Sequence, residues 1–358
     1  MRILQWGPLP TKGQTGGVEK YIYNLSNKLS EMGHEVDVCT FGFGKVTNSK
    51  IVKFPIKKYD VVHVHLCLKS FGILSFLKKI ISQEKLIFTI HIVHNPKVEK
   101  EEMFSDKVKS WAEFYFSKFL SKHADIVTAV SEYSRRRCIE DYGVDPIVIP
   151  NGVDISKFYP MKKNDAKEII KEKYGLNTKE EKVITYLGRL SHTKGVFVLI
   201  EAFSKVLLSF PDARLVIGGT GYYKNELEKL SKKLNIANKV SFLGFIPDEI
   251  LLPLYNTTDI FCIPTLGKEG MPTTALEAMA TRTVVLATRV GGLKEIIKNG
   301  KNGILVEPGN TEALADALCN LLESEAKRRY LSFNALEYVR RNNDWKIITN
   351  KYLSIYNG

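Results

Sequence analysis

Three observations predict two doubly wound α/β domains for this chain. Short β-branched or apolar runs alternate with helical periodicities along its length, an order that yields parallel sheets with helices on both faces. The alternation pauses once, after Asn151-Gly152-Val153-Asp154, in a connection containing Pro and Lys, and then begins again. The residues suited to chemistry fall in strand-to-helix loops, where ligands lie on sheets of this kind. With 358 residues, the chain is long enough for two cores. The expected domains are 1–157 and 158–343, with the closing helix 344–358 completing the first. For two such domains facing each other, the cleft between them is the default site.

In chain order, Arg2 to Trp6 reads as a strand, and Gly7 to Gly17 as a Gly- and Pro-rich loop. Apolar residues at Tyr21, Ile22, Leu25 and Leu29 then recur at helical spacing, and Gly33 closes that helix. Further strands are expected at 35–41, 60–66, 85–91, 125–131 and 146–149. In the second half they are expected at 182–188, 213–218, 240–245, 259–263, 284–288 and 303–306. Helices fall between them, among them Val196 to Ser209 and Thr311 to Glu323. In the last helix Trp345, Ile348, Tyr352 and Ile355 form an apolar face that must be buried.

Composition narrows the class. Hydrophobic residues at 44% and charged residues at 25% suit a globular protein and exclude a disordered one. No apolar run reaches the roughly 20 residues of a membrane span, so a cytoplasmic location is expected. The five cysteines are scattered singly without a C-x-x-C, and they read as buried reduced thiols. A formal charge of +13 favours anionic partners, whether small molecules, a membrane surface or nucleic acid. Nucleic acid is set aside because no basic motif is interleaved with aromatics. Between Lys45 and Lys79 eight lysines face the single acid Asp60, beside the apolar segment 66–81. That segment and the aromatic, Lys-bearing stretch 107–122 suit either core helices or peripheral contact with an anionic membrane.

The most informative stretch is Thr265 to Ala278. It carries Glu269 and Glu277 around a helix start, with Pro272 expected at the first helical position. The amides of Thr273 and Thr274 are then free at a positive helix end, which favours an anion. In Leu187 to Gly195, Arg189 and Lys194 share one loop and could neutralise a diphosphate. Gly16-Gly17 would let a backbone approach a ligand at the first helix, and Gly218-Gly219-Thr220-Gly221 is a further flexible loop. His63 and His65 alternate along a strand, while His91 and His94 end another. Their spacing to carboxylates does not suit a metal, and no D-x-D or H-E-x-x-H occurs. A neutral His91 donating to, or accepting from, a substrate oxygen is the simpler reading.

These residues resemble those of the retaining glycosyltransferases of the GT-B architecture, family 4. Glu269 and Glu277 stand at the E-x7-E spacing. G-G-V-E at Gly16 to Glu19, T-I-H at Thr89 to His91, I-P-N-G-V-D at Ile149 to Asp154 and G-R-L-x-x-x-K-G at Gly188 to Gly195 follow in the family's order. The resemblance implies a hexosyltransferase that uses a nucleoside-diphosphate sugar as donor substrate, with UDP or GDP ahead of ADP, and no cofactor or metal. It implies that Arg189 and Lys194 hold the diphosphate, that Glu269 binds the transferred sugar, that Glu277 binds the ribose, and that His91 contacts the sugar near the reacting centre. Gly16, Gly17, Gly270, Met271, Pro272, Thr273 and Thr274 complete the donor set. His65 and His94 are acceptor-side candidates. The position after Met271 is often Gly in that family and is Pro here, which removes one amide donor. The acceptor would be a glycan, lipid-linked or small-molecule hydroxyl. Rival readings are a non-catalytic sugar-nucleotide binder, and an epimerase or phosphorylase on the same fold.

Overall fold

The computed structural model describes residues 1–9, 16–40, 49–53, 55–65, 78–79, 81–93, 104–179 and 181–358. The chain divides into two compact units, Met1–Gly152 with Trp345–Gly358, and Val153–Asp344. The division comes after Gly152 rather than after 157. Val153 already belongs to the second unit because its N–H donates to the Asn343 carbonyl at 2.7 Å and it bridges Asp344. The Asp154 carboxylate then accepts from the Ser156 amide at 2.9 Å and turns the chain into that unit.

Among its described residues, the first unit is built on seven parallel strands: β1 (Arg2–Trp6), β2 (Glu35–Cys39), β3 (Lys50–Val52), β4 (Val61–Val64), β5 (Lys85–Ile90), β6 (Ile126–Ala129) and β7 (Ile147–Val148). Their order is β3-β2-β1-β4-β5-β6-β7. Helices α1 (Gly17–Glu31), α2 (Phe104–His123) and α3 (Glu132–Tyr142) connect them. The inner strands are buried along most of their length, which is why they read as continuous apolar runs rather than alternating ones. β3 was not among the expected strands. It is only three residues long, lies at the sheet edge and exposes most of its surface, so it carries little apolar signal. The closing helix lies in this unit, with Trp345, Ile348, Tyr352 and Tyr356 buried against Ile3, Tyr21, Leu25 and Ile87. Gly152 makes this docking possible. A Cβ there would sit 2.5 to 2.9 Å from three ring atoms of Trp345.

The second unit holds six parallel strands, β8 (Lys182–Leu187), β9 (Ala213–Gly218), β10 (Val240–Gly244), β11 (Ile260–Ile263), β12 (Val284–Thr288) and β13 (Ile304–Val306), in the order β10-β9-β8-β11-β12-β13. Among the described residues, eight α-helices accompany them: α4 (Lys163–Tyr174), α5 (Val196–Ser209), α6 (Lys224–Lys233), α7 (Asp248–Thr257), α8 (Thr273–Ala280), α9 (Leu293–Ile296), α10 (Thr311–Glu323) and α11 (Glu325–Asn342). The closing helix is α12 (Trp345–Asn357). Side-chain caps start two of them, Asn310 accepting from the Ala313 amide and Ser324 from the Lys327 amide. In both sheets the chain winds outward in opposite directions from one neighbouring pair, β1 with β4 and β8 with β11. At such a switch point the loops after the two strands diverge and leave a crevice.

Candidate active site

The loop after β8 carries Arg189 and Lys194, and three backbone contacts shape it. The Gly188 amide donates to the Gly218 carbonyl at 3.1 Å, the Leu190 amide to the Thr220 carbonyl at 2.8 Å, and the Tyr223 amide to the Leu190 carbonyl at 3.1 Å. This is why the loop after β9 is rich in glycine. A Cβ at Gly219 or Gly221 would overlap the carbonyl oxygens of Gly188 and Leu190, and both residues have positive φ. Beneath the loop lies Tyr186, buried on β8, whose hydroxyl donates to the Arg189 carbonyl at 2.8 Å. Burial first, and then the Glu269 carboxylate, push this phenol upward, so it stays protonated and remains a donor. Tyr186 was not singled out from the sequence. Its only signal there is an aromatic near the end of a buried strand.

Arg189 is exposed and makes no ion pair with a described carboxylate. Lys194, at the end of a one-turn 3₁₀ helix, pairs through Nζ with Glu269 Oε1. Glu269 itself sits in the loop after β11, so the two loops of the switch point meet in this ion pair. A second fastening comes from the loop after β12. The Gly292 amide donates to the Glu269 carbonyl at 2.9 Å, and Gly291, at φ 48°, lies so close that a Cβ would overlap that carbonyl oxygen. The pair Gly291-Gly292 was also passed over in the sequence, although two glycines directly after a strand are a usable sign of close backbone approach.

Pro272 stands one position earlier than expected. Its ψ of 122° is extended, so it is the N-cap of α8 and Thr273 is the first helical residue. A proline ring has no side-chain acceptor, and no side chain caps this end. The Ala275 amide turns back to the Pro272 carbonyl at 3.2 Å. The Thr273 and Thr274 amides thus lie at an uncapped, positive helix end. Gly270 and Met271 are buried just before it. Glu277 lies one turn inside α8 and is only 5% exposed. Its Oε2 accepts from the Tyr255 hydroxyl at 2.7 Å.

In the first unit Gly16 is the N-cap of α1, in extended conformation, and Glu19 folds back so closely that a Cβ at Gly16 would overlap its carboxylate. A Cβ at Gly17 would meet no described atom within 4 Å. His91 follows β5, with its ring edge-on to Tyr21 at 4.9 Å. His65 does not reach outward as an acceptor-side residue would. It is 2% exposed, with Nε2 2.7 Å from Gln5 Oε1 and Nδ1 3.4 Å from His91 Nε2, so both nitrogens face protein partners. His63 is likewise enclosed by Tyr356 at 2.7 Å and Thr89 at 2.6 Å. Burial pushes all three imidazoles below their ordinary value, His91 to about 3, so they are neutral near pH 7. His94 and most of the segment 66–81 lie outside the described residues. Among the described residues, no group of three or more His, Cys, Asp and Glu is placed to hold a metal ion, and no helix is long and apolar enough to cross a membrane.

Two parallel-sheet Rossmann-like units, with polar loops gathered at a switch point, are the architecture of the GT-B glycosyltransferases. The sequence profile of the glycosyl transferases group 1 matches residues 166–338, and that of glycosyltransferase family 4 matches residues 47–157. The chain belongs to this family and is a glycosyltransferase. A glycosyltransferase of Methanocaldococcus jannaschii is 29% identical, over 95% of this chain and 94% of its own length. The phosphatidyl-myo-inositol mannosyltransferase of Mycolicibacterium smegmatis is 26% identical, over 95% and 90%. In fold the chain matches sucrose-phosphate synthase from Thermosynechococcus elongatus with a TM-score of 0.82 at 21% identity, covering 99% of this chain and 98% of that one.

Proposed function

We propose that this enzyme moves a hexose from a nucleoside-diphosphate sugar, UDP- or GDP-linked ahead of ADP-linked, to a hydroxyl of a glycan, lipid-linked or small-molecule acceptor, with retention at the anomeric carbon. The observation that carries the reading is the meeting of the two switch-point loops of the second unit in the Lys194–Glu269 pair. The two side chains are 28% and 13% exposed, so each needs a partner there, and a charged, hydroxylated substrate would supply one to each in exchange. Lys194 and Arg189 face the diphosphate, the Thr273 and Thr274 amides add donors at a positive helix end, and Glu269 accepts from the sugar hydroxyls. Glu277, held by Tyr255, accepts from the ribose, Gly16 and Gly17 approach the diphosphate, and His91 meets the transferred sugar.

As the bond from the anomeric carbon to the phosphate oxygen breaks, negative charge grows on the phosphate. Groups already fixed in place stabilise that charge without reorganising, and this is often the largest catalytic contribution. The acceptor oxygen bonds to the same face of the carbon, and its proton passes to the leaving phosphate oxygen. Arg189, Lys194 and the amides serve where a divalent ion would otherwise sit, so transfer should persist in chelator. Kinship with a mannosyltransferase named for phosphatidyl-myo-inositol supports a lipid-linked acceptor and peripheral contact with an anionic membrane.

The test is a panel of UDP-, GDP- and ADP-hexoses assayed with and without chelator, for the native enzyme and for Glu269→Ala. Turnover with at least one donor in chelator is expected, together with a loss of about 10² to 10³ in Glu269→Ala at unchanged melting temperature. Near-native turnover of the variant would remove Glu269 from the site, and tight binding without turnover of any donor would make the chain a binder.

A further inference from the structure

We propose that a hydrogen-bond relay from the Tyr356 hydroxyl on α12, through Gln5 and His65, holds His91 as the Nε2–H tautomer and leaves Nδ1 as the acceptor for a substrate hydroxyl. The role given to Nδ1 rests on the reading of His91 above. The relay itself rests only on the geometry of the first unit.

The assignment follows atom by atom. Gln5 Nε2 donates to the Tyr356 hydroxyl at 3.2 Å, and Gln5 Oε1 lies 2.7 Å from His65 Nε2. A carbonyl oxygen only accepts, so His65 carries its proton on Nε2. In a neutral ring the other nitrogen is then a lone pair, and His65 Nδ1 lies 3.4 Å from His91 Nε2. His91 must therefore donate from Nε2. No described residue bonds its Nδ1.

The other branch agrees. Having accepted from Gln5, the Tyr356 hydroxyl donates to His63 Nδ1 at 2.7 Å. His63 then donates from Nε2 to Thr89 Oγ1 at 2.6 Å, and the Thr89 hydroxyl passes its proton on to Thr128 Oγ1 at 2.6 Å. The threonine hydroxyls at that end can rotate to serve either direction. The deciding group is thus the Gln5 amide, whose Nε2 lies at the Tyr356 hydroxyl and whose Oε1 lies at His65 Nε2. Turning the amide over would reverse every ring and place a proton on His91 Nδ1, converting an acceptor into a donor. Tyr21 sandwiches the arrangement. Its ring packs on His65 at 5.4 Å and on His91 at 4.9 Å, and its hydroxyl donates to Tyr352 at 2.5 Å. Tyr356, Gln5 and His65 are positioning residues, and none of them needs to touch substrate.

Two-bond nitrogen–proton correlation spectra of the full-length, ¹⁵N-histidine-labelled protein report tautomers directly, with His91 assigned by the signal lost in His91→Ala. The expected result is Nε2–H for His63, His65 and His91 alike. Tyr356→Phe keeps the ring and removes the hydroxyl, freeing the Gln5 amide. His91 should then show mixed tautomers, with kcat about tenfold lower and donor KM within about twofold. A native spectrum with His91 protonated on Nδ1 overturns the relay. So does a Tyr356→Phe variant with unchanged tautomers and unchanged kcat. If the tautomers are as assigned but His91→Ala transfers sugar at the native rate, the relay stands and the substrate role of His91 falls.

Discussion

Gly291 has no side chain, yet it governs where Glu269 sits. Its φ of 48° and its contact with the Glu269 carbonyl leave no room for a Cβ. Gly291→Ala should cost about 1–3 kcal/mol of stability through backbone strain and displace the loop that carries Glu269. The expected signature is a rise in donor KM and a fall in kcat, larger than the fall in melting temperature explains. Calorimetry beside steady-state kinetics checks it, and native kinetics with only a lowered melting temperature would confine Gly291 to folding. The contrast with Glu269 shows what a sequence reveals at this scale. Arg189, Lys194, Glu269 and the threonines of α8 can be named as candidates because charge and helix-start chemistry are written in residue type. Gly291, Gly219 and Tyr186 act through contacts between loops far apart in the chain. Their residue types admit many roles until the sheet order brings those loops together.

Among the elements, parallel strands buried on both faces leave long apolar runs, and most of them were found to within a residue or two. The exceptions have local causes. β3 is a three-residue edge strand, and Pro272 satisfies the φ of both an N-cap and a first helical residue, so only its ψ decides. His63 lies on β4 and His65 just beyond its end, with their ring centroids 4.1 Å apart as a shared face requires, but which face α12 covers was not in the sequence. That packing is also what makes the first unit sensitive to acid. In the unfolded chain these histidines take up protons near pH 6.5, whereas the folded unit keeps His91 neutral down to about pH 3. Within this window the unfolded state binds more protons, so stability rises with pH and is lost on acidification. Each ring held neutral contributes a slope of about 1.4 kcal/mol per pH unit. Denaturant unfolding from about pH 7 to about pH 5 should show this loss, and His65→Gln should make the slope shallower by one ring's share. A slope that the substitution leaves unchanged would mean that His65 is not held neutral in the fold.

For the whole molecule, the remaining question is what the surplus of thirteen positive charges serves. A diphosphate needs only two or three of them. Two of the lysines beside the apolar segment 66–81 are already engaged, Lys78 with Glu84 at 2.9 Å and Lys79 with Asp125 at 2.6 Å. Peripheral contact with a membrane, as proposed, would fall to α2 instead. Phe114 and Leu120 are buried in the core, while Trp111 stacks on Tyr115, which is 55% exposed. Aromatic rings with a polar edge settle at the headgroup level of a bilayer, and each lysine or arginine near an anionic surface adds about 1 kcal/mol. The enzyme should therefore float with vesicles containing anionic lipid at low salt. It should detach at about 0.5 M salt, where screening acts within a few ångströms, and should not float with neutral vesicles. Trp111→Ala with Tyr115→Ala should weaken flotation while leaving transfer to a soluble acceptor intact. If the native protein fails to float at low salt, the acceptor must come to the enzyme in solution, and the aromatic face of α2 requires another explanation.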